Sequence, residues 1–382
     1  MLHEPTIGDG VLRPTHVEVD LGALTHNWRW LADAVKRPAM PILKANAYGH
    51  GLVEVARHYE ALGAPVVGVA YLEEGLLLRQ AGVRLPVLVL GGIIGRQLPL
   101  FLANDLQVTA SSVDKLRAIE AAAAAAGIRA QVHLKIDTGM ERIGVHWYTA
   151  ETLLEASLTC PHVDVVGVFT HFANADATAP AAVAATRTQL ERFLEVCRFY
   201  ERHSLPTPTR HAANSGGVLL HPDAWLDLVR PGILLYGASP DVDLPIPAAI
   251  RPALAWRTNA VFFKVVRAGD PVSYGSIWAP GVDSRVITLP VGYGDGWMRA
   301  MSGRAEVLVR GERRPVVGRI CMDQAMVDLG PAGTAYNGDV VTLIGRDGDA
   351  VIRVEDLARW ANTVPHEVLT AINTRVSRVY LP

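Results

Sequence analysis

Residues 112–137 read Ser112-Val-Asp-Lys-Leu-Arg-Ala-Ile-Glu-Ala-Ala-Ala-Ala-Ala-Ala-Gly127-Ile-Arg-Ala-Gln-Val-His-Leu-Lys-Ile-Asp137, which predicts a helix followed directly by a strand. Ser112 is a favoured N-cap residue, and Gly127 ends the helix because glycine readily adopts the left-handed conformation found there. The alanine run 121–126 indicates a tightly packed helix, and the apolar run 131–137 is typical of a buried strand. The stretch therefore predicts one helix–strand unit of an α/β fold.

The same alternation repeats from about residue 20 to residue 235. Strand-like apolar runs are separated by longer helical patterns, and the runs cover residues 42–45, 66–70, 87–90, 107–109, 131–137, 163–171, 209–213 and 227–230. Strands joined through helices pair in parallel, with right-handed crossovers. Eight such units within about 220 residues predict a (β/α)8 barrel of the TIM type, whose usual size is about 250 residues. A doubly wound open sheet is the alternative.

The composition of the chain changes after the last of these units. Residues 239–252 are rich in proline, which breaks helices and cannot donate in the middle of a sheet, so they predict a linker. Closely spaced strand-like runs with glycine turns follow, interrupted by one helical patch at 354–361. We therefore expect an N-terminal segment at 1–12 that packs on the β domain, a barrel at 13–240 and a C-terminal β-rich domain at 241–382.

Composition excludes several classes of protein. Lys plus Arg number 36 against 38 for Asp plus Glu. The resulting formal charge of -2 does not indicate binding to nucleic acid or to an anionic membrane. No apolar stretch approaches the roughly 20 residues that cross a bilayer, and the first residues lack the apolar block of a secretory signal. The cysteines Cys160, Cys197 and Cys321 predict neither a disulfide framework nor a zinc site. We expect a cytoplasmic protein without a metal ion.

Reactive side chains follow the predicted barrel strands, at the edge where barrels of this type carry their active sites. These side chains are Lys44, Lys135, His171, Asn214, Ser215 and Arg230. Lys44 comes after the apolar residues 40–43, so burial should lower its pKa, and a neutral lysine can form a Schiff base with a carbonyl compound. The alternative is a lysine at a strand end whose amine simply reaches solvent.

Two glycine-containing loops, Asn214-Ser-Gly-Gly217 and Arg230-Pro-Gly-Ile233, follow the last two predicted strands. Phosphate sites of this fold usually form in these loops, because backbone N–H groups converge there. Together with a Schiff-base lysine, the loops predict a phosphorylated carbonyl compound or pyridoxal 5'-phosphate as the ligand. Arg230 only donates hydrogen bonds, so facing a pyridine nitrogen it would leave that nitrogen without a proton. The alternative for Arg230 is an ion pair with Asp223 or Asp227.

Lys135 is flanked by Leu134 and Ile136 and is a second amine expected to be neutral. Arg142 lies seven residues further on, and two cations in one pocket would repel each other. Addition of carbon dioxide to Lys135 would invert its charge and make it an acceptor for Arg142. An ion pair between Lys135 and Asp137 is the simpler alternative.

Together these motifs resemble those of the alanine racemases, the two-domain members of the third fold group of pyridoxal-phosphate enzymes. The matching stretches are Lys44-Ala-Asn-Ala-Tyr-Gly-His-Gly51, Lys135-Ile-Asp-Thr-Gly-Met-Glu-Arg-Ile-Gly144, Thr170-His-Phe-Ala173, Asn214-Ser215, Arg230-Pro-Gly-Ile233, Val272-Ser-Tyr-Gly275, Gly292-Tyr-Gly-Asp-Gly296, Gly318-Arg-Ile-Cys-Met-Asp323 and Arg378-Val-Tyr380. The resemblance implies a cytoplasmic isomerase that interconverts L-alanine and D-alanine and supplies D-alanine for peptidoglycan. It also implies a homodimer with active sites shared between subunits.

The resemblance implies a role for each matching residue. Lys44 would hold the cofactor and exchange the proton of D-alanine, and Tyr274 of the second subunit would exchange that of L-alanine. The residues implied to bind the cofactor are Lys44, Tyr48, His171, Asn214, Ser215, Arg230, Gly232, Ile233 and Tyr380. The substrate would contact Arg142, Tyr293 and the second subunit's Met322, and a carboxylated Lys135 would orient Arg142.

Three other functions stay open on the sequence. A related racemase for serine, lysine or other side chains would share the architecture, although Tyr274, Tyr293 and Met322 favour a small substrate. A non-catalytic pyridoxal-phosphate carrier resembles the barrel alone, so the β-rich domain argues against it. A decarboxylase on a related fold would carry paired-cysteine and acidic-substrate signatures, which this sequence lacks.

Overall fold

The structure of the protein is a computed structural model that describes residues 6–7 and 10–382. It divides into a barrel unit, residues 28–47 and 51–235, and a β-rich unit, which comprises the described residues up to 27 together with 48–50 and 236–382. Much of the predicted N-terminal segment 1–12 lies outside the described residues, so its packing stays a prediction. Within the described ranges, no helix is both long and apolar enough to span a membrane.

The barrel unit is built on a parallel sheet, as the strand–helix alternation predicts. Six strands follow one another across this sheet in chain order: Val67–Val69, Val87–Val89, Leu106–Ala110, Ala130–Asp137, Val163–Phe169 and Thr209–His211. Every neighbouring pair is parallel, and the short strand Val145–His146 also pairs in parallel with Ala130–Asp137.

Two further segments close this sheet into a barrel. Residues 39–43 bridge in parallel to residue 229 on one side and to residue 68 on the other. The Arg230 N–H donates to the Ala213 carbonyl at 2.8 Å, which joins the last segment to the strand before it. Six strands and these two segments make eight, so the predicted (β/α)8 barrel is confirmed and an open sheet is excluded.

Helices alternate with these strands along the chain. They are Leu21–Val35, Leu52–Ala61, Leu72–Gln80, Leu98–Ala103, Val113–Ala126, Ala150–Leu158, Pro180–Arg202 and Ser215–Leu220, with short 3-10 turns at Gly95–Gln97, Trp147–Thr149, Pro222–Ala224 and Ile233–Tyr236. Both predicted ends of Val113–Ala126 are confirmed. Ser112 Oγ accepts the Lys115 N–H at 3.2 Å, and Gly127 has a φ of +67°. An N-cap of this kind stabilises a helix by about 1 kcal/mol.

The β-rich unit contains a sheet that is antiparallel except at one edge. Its strand order is Phe262–Val266, Ser284–Leu289, Ala325–Gly330, Glu312–Val317, Glu306–Val309, Val340–Asp347, Leu254–Asn259, His16–Asp20 and Ser377–Leu381, and Ala350–Ile352 adds to Val340–Asp347. The other elements are the strands Thr6–Ile7 and Gly10–Val11, the helices Val354–Ala361 and Pro365–Ala371, and the 3-10 turns Tyr274–Ser276, Tyr293–Asp295 and Arg299–Met301. The buried rings of Trp256 and Trp297 meet edge to face at 5.7 Å in its core.

One strand of this sheet comes from the start of the chain. His16–Asp20 pairs antiparallel with Leu254–Asn259 and parallel with Ser377–Leu381. Val17 and Val19 are buried and alternate with more exposed neighbours, as in a strand with one buried face. These residues fall within the predicted barrel range 13–240, because the pattern of a strand does not reveal its partner. The structure places them in the β-rich unit.

Candidate active site

Predicted site residues gather at the carboxyl ends of the barrel strands. Lys44 follows segment 39–43, Lys135 lies near the end of Ala130–Asp137, Arg142 follows that strand, His171 follows Val163–Phe169, Asn214 and Ser215 follow Thr209–His211, and Arg230 lies at the end of the last segment. Parallel strands of a barrel all end on the same rim, where barrel enzymes carry their active sites. The barrel unit therefore brings these side chains to one mouth.

The backbone that follows Lys44 is left-handed. Residues 45–48 have φ values between 52° and 58°, a conformation that costs a residue with a β-carbon roughly 1–2 kcal/mol. The Ala45 N–H donates to Glu74 Oε1 at 2.6 Å, which helps to hold the turn. Because this turn cannot continue a strand, the first segment ends before Lys44 rather than at residue 45 as predicted, and Lys44 is set at the barrel mouth.

Lys44 is exposed at this mouth, yet the protein around it perturbs its amine. Desolvation lowers its pKa, the positive charge of Arg142 lowers it further, and the Glu74 carboxylate opposes both. The expectation of an amine withdrawn from water is therefore met in part: the pKa falls while the side chain stays accessible. This combination suits an amine that attacks a carbonyl carbon.

Lys135 is the second perturbed amine. Its side chain is buried, with Nζ 4.8 Å from the centre of the Phe169 ring. Burial lowers its pKa well below the ordinary value, and the charge of Arg230 lowers it further. Asp137 accepts the backbone N–H groups of residues 139–142 and forms no ion pair with Lys135 in the described chain. The simpler alternative of a Lys135–Asp137 ion pair is therefore not found.

Arg142 belongs to the loop that Asp137 holds in place. Its guanidinium is exposed and forms no ion pair or side-chain hydrogen bond with any residue that the structure describes. The positive charge of Arg142 lowers the pKa values of both Lys44 and Lys135, so it acts on the same mouth as the two amines. An arginine without an acceptor at such a place can bind a carboxylate in bidentate fashion.

Arg230 is held inside the barrel by carbonyl groups and a histidine. Nη2 donates to the carbonyls of Thr170 at 2.8 Å and Ala212 at 3.0 Å, and His171 Nδ1 lies 3.4 Å from it. Nη1 donates to His211 Nδ1 at 3.1 Å. Burial lowers the pKa of Arg230 to about 9, so it is charged at neutral pH. The Nε hydrogen and the second Nη1 hydrogen have no acceptor among the described residues, which leaves both for a ligand.

The predicted alternative for Arg230, an ion pair with a neighbouring acid, is not found. Asp227 pairs instead with Arg210, whose Nε lies 2.9 Å from Oδ2. Asp223 forms no ion pair with Arg230 in the part of the chain that the structure describes. Arg230 therefore brings an uncompensated positive charge to the barrel interior.

The loops after the last two strands form a cluster of N–H donors. Ser215 Oγ accepts the N–H groups of Gly232 at 2.9 Å and Leu234 at 3.2 Å, which ties the two loops together. Asn214 Oδ1 accepts the Gly217 N–H at 2.9 Å and caps the short helix that begins there. The backbone N–H groups of residues 215, 216 and 233 have no acceptor among the described residues. Unused N–H donors of this kind fit the oxygens of a phosphate.

The other predicted site residues lie in the β-rich unit. Tyr274 is 72% exposed on a turn where Ser273 and Gly275 have φ values of +68° and +73°, and its hydroxyl makes no hydrogen bond to a described residue. Tyr293 and Met322 are also exposed. A large apolar or aromatic group held outward in this way is available to a partner.

Two further tyrosines of the predicted site are partly enclosed within the β-rich unit. Tyr48 is buried, and its ring lies 5.1 Å from that of Tyr236. Tyr380 lies on the strand Ser377–Leu381, where it pairs with Val19. Both residues belong to the β-rich unit.

Two histidines of the barrel interior, His133 and His211, are not among the predicted site residues. His211 contacts Arg230, and His133 Nδ1 lies 2.9 Å from His211 Nε2. Both are buried. A polar side chain at an inward-facing position of a barrel strand was the signal that could have identified them.

We expect these two histidines to make stability depend on pH. Burial, followed by the charge of Arg230, lowers their pKa values, that of His133 to about 3. In the unfolded chain each histidine binds a proton near pH ~6.5. The contribution of the two histidines to the free energy of unfolding is therefore fully present above that pH and is lost as the pH falls towards ~3. The free energy of unfolding, measured by urea denaturation at several pH values, should fall by about 1.4 kcal/mol per pH unit for each histidine. His133→Gln should reduce the slope of the free energy of unfolding against pH by the contribution of one histidine. An unchanged slope would contradict this prediction.

Fold and site together define a class: a two-domain barrel enzyme whose chemistry centres on a lysine at the barrel mouth. Comparison with known proteins specifies this class. Residues 19–240 match the family model described as "Alanine racemase, N-terminal domain", and residues 253–380 match "Alanine racemase, C-terminal domain". The chain belongs to the alanine racemase family, whose members are isomerases.

Relatives and solved structures agree with this assignment. The alanine racemase of Desulfovibrio desulfuricans is 39% identical over 97% of this chain and 98% of that protein, and that of Symbiobacterium thermophilum is 41% identical over 97% of each. The crystal structure of alanine racemase from Streptomyces lavendulae superposes with a TM-score of 0.92, at 37% identity over 98% of both chains. The Bacillus anthracis enzyme with bound L-Ala-P gives a TM-score of 0.89, at 33% identity over 98% of this chain and 96% of that one.

Proposed function

We propose that the protein interconverts L-alanine and D-alanine with pyridoxal 5'-phosphate, as a cytoplasmic homodimer that supplies D-alanine for peptidoglycan. One observation carries the proposal. A single barrel mouth combines the perturbed amine of Lys44, a buried Arg230 with two unused donors, and the unused backbone N–H groups of residues 215, 216 and 233. The amine can bond to an aldehyde, the arginine can donate to a pyridine nitrogen, and the N–H groups can bind a phosphate.

The proposed cofactor fits these residues. Lys44 would hold it covalently, and Arg230 would donate to the pyridine nitrogen with His171 in support. Ser215, Gly232, Ile233, Tyr48 and Tyr380 would hold the phosphate, and Asn214 would also bind the cofactor. When bound, pyridoxal phosphate withdraws electrons from the α-carbon of an attached amino acid and so acidifies the α-proton.

Racemisation needs a proton-transfer group on each face of the α-carbon. Lys44 would exchange the proton on the D side, since its lowered pKa makes the amine easier to deprotonate. The partner subunit's Tyr274 would exchange the proton on the L side. Its exposure, with a hydroxyl that bonds to no described residue, supports a role completed by a second subunit.

Lys135 is proposed to be carboxylated. A neutral Nζ would form a C–N bond with carbon dioxide and release one proton to water, which replaces a buried amine by a carbamate anion. That anion would accept hydrogen bonds from Arg142 and orient it towards the substrate carboxylate. The low pKa of Lys135 and the absence of an ion pair with Asp137 in the described chain support this step.

Substrate size is proposed to be limited by Tyr293 and the partner subunit's Met322. Both side chains are large and exposed on the β-rich unit, where they could narrow a pocket completed by a second subunit. Such a restriction favours alanine over serine and over longer side chains.

The proposal is tested by incubating the protein, saturated with pyridoxal phosphate, with L-alanine in heavy water. We expect D-alanine that carries deuterium at the α-carbon, at a rate well above that for L-serine run in parallel. Release of carbon dioxide would instead indicate a decarboxylase. Retention of the cofactor without exchange of the α-hydrogen would indicate a carrier, and either result would overturn the proposal.

A further inference from the structure

A chain of hydrogen bonds crosses the barrel interior from Arg230. Arg230 Nη1 lies 3.1 Å from His211 Nδ1, and His211 Nε2 lies 2.9 Å from His133 Nδ1. His133 Nε2 lies 3.0 Å from Gln107 Oε1, and Gln107 Nε2 donates to Gln131 Oε1 at 2.7 Å. The chain runs from the rim that carries Arg230 to the amino-terminal ends of two barrel strands, where Gln131 is exposed.

The direction of every bond in this chain follows from its first member. Arginine has donors only, so His211 Nδ1 must accept and His211 must carry its hydrogen on Nε2. That hydrogen makes His133 Nδ1 an acceptor, which puts the hydrogen of His133 on Nε2 and directs it to Gln107 Oε1. One tautomer of each ring satisfies the whole chain, and the opposite tautomer of His211 would set two donors against each other.

The two rings are held in place by packing. The His211 ring stacks on Phe169 with the ring centres 4.8 Å apart and the planes 5° apart. The His133 ring occupies space that a side chain at residue 167 would fill, because a β-carbon on Gly167 would lie 2.2 Å from His133 Nδ1. Glycine at 167 therefore makes room for the ring in a position where it can reach His211.

Charge selects the neutral form of both rings. Each is buried, and desolvation, followed by the charge of Arg230, lowers both pKa values. A neutral histidine has one donor and one acceptor, which is the requirement for passing a hydrogen bond in one direction. Leaving a buried donor or acceptor unpaired costs about 1–3 kcal/mol, so the chain favours this single arrangement.

We propose that His211, His133 and Gln107 are positioning residues that hold Arg230 in one donor orientation through this one-way chain of hydrogen bonds. With Nη2 fixed on Thr170 and Ala212, the bond to His211 sets the plane of the guanidinium. The plane in turn sets where the two unused donors of Arg230 point. Because arginine keeps its protons, the chain orients a donor and does not transport protons.

The inference rests on the proposed function where it assigns the two unused donors of Arg230 to a cofactor ring. The tautomers of His211 and His133 test the chain of hydrogen bonds separately from that function. Nitrogen-15 NMR distinguishes a histidine nitrogen that carries hydrogen from one that does not, and the loss of signals in His133→Gln and His211→Gln assigns the two rings. At neutral pH, we expect hydrogen on Nε2 and none on Nδ1 in both rings, with and without pyridoxal phosphate. Hydrogen on His211 Nδ1, or a mixture of tautomers, would overturn the proposal whatever the protein catalyses.

Variants of His133 test the effect on Arg230. His133→Leu removes both the acceptor and the donor, whereas His133→Gln keeps an amide oxygen for His211 and an NH2 group for Gln107. In the enzyme loaded with cofactor, His133→Leu leaves the His211 Nε2 hydrogen without its acceptor, and we expect it to lower kcat between about tenfold and about a hundredfold with little change in KM. His133→Gln should retain the His211 tautomer and stay within about threefold of the parent.

A merely structural role predicts a different result. In that case His133→Leu would lower the melting temperature and leave kcat unchanged, which would overturn the proposal. If His133→Leu does not fold, Gln107→Leu carries the same test, because Gln107 is only partly buried and accepts the last hydrogen of the two rings. Absence of racemisation in the parent protein would overturn the proposed function. The tautomers of His211 and His133 would still show whether the chain of hydrogen bonds has the proposed direction.

Discussion

Replacing Lys44 by alanine is expected to abolish covalent retention of pyridoxal phosphate and to lower racemisation at least about 10³-fold. The variant loses the amine that would attach the cofactor and the group that would exchange the proton of D-alanine. Its lowered pKa and accessible position are the features that fit both tasks. Racemisation of alanine in both directions and loss of the α-hydrogen from D-alanine are the measurements.

A matched lysine controls this prediction. Lys115 lies on the helix Val113–Ala126, and alanine suits a helix there, so Lys115→Ala should retain both cofactor and activity. Racemisation by Lys44→Ala within about tenfold of the Lys115→Ala rate would contradict the assigned role, because one acid–base group contributes roughly 10²–10⁴-fold. Thermal unfolding of both variants would show that neither effect comes from a lost fold.

Replacing Tyr274 by phenylalanine is expected to lower racemisation in both directions by roughly 10²–10⁴-fold. Only the hydroxyl is lost, and because that hydroxyl makes no hydrogen bond to a described residue, the β-rich unit should keep its stability. The remaining Lys44 should still exchange the α-hydrogen of D-alanine with solvent. In heavy water, the variant should therefore produce deuterated D-alanine from D-alanine with little L-alanine. Equal losses of both kinds of exchange would contradict a division of the two faces between Lys44 and Tyr274.

Mixing the two variants tests whether each site is shared between subunits. A head-to-tail dimer places Lys44 of one chain with Tyr274 of the other, so a mixed dimer of Lys44→Ala and Tyr274→Phe chains has one intact site. After denaturation and joint refolding of equal amounts, random pairing should restore about a quarter of the parental activity. No recovery, from a mixture shown to contain mixed dimers, would place both residues on one chain.

Much of the barrel could be predicted because its signals are local. The N-cap at Ser112, the glycine at 127 and the alternation of apolar runs each depend on a few neighbouring residues, and all reappear in the structure. The strand His16–Asp20 was assigned to the wrong unit because its partners lie more than two hundred residues away in the chain. Pairing over such a separation leaves no trace in a short stretch of sequence.

The site was predictable as a set of residue types, and less so in its geometry. Lys44 was identified, but four consecutive left-handed residues after it could not be, since residues 45–48 include no glycine. The choice of Arg210 rather than Arg230 as partner of Asp227 depends on the tertiary fold. His133 and His211 looked like ordinary strand residues until their rings were found next to each other and next to Arg230.

Covalent attachment of pyridoxal phosphate to Lys44 is the step on which the proposed function depends most. Borohydride reduces a linkage between a carbonyl carbon and an amine to a stable bond, so digestion and mass spectrometry then reveal which lysine carried the cofactor. We expect the label on the peptide that contains residues 44–51, and none on Lys44→Ala. A label on Lys135 or on any other lysine, or no label on the protein saturated with cofactor, would contradict it.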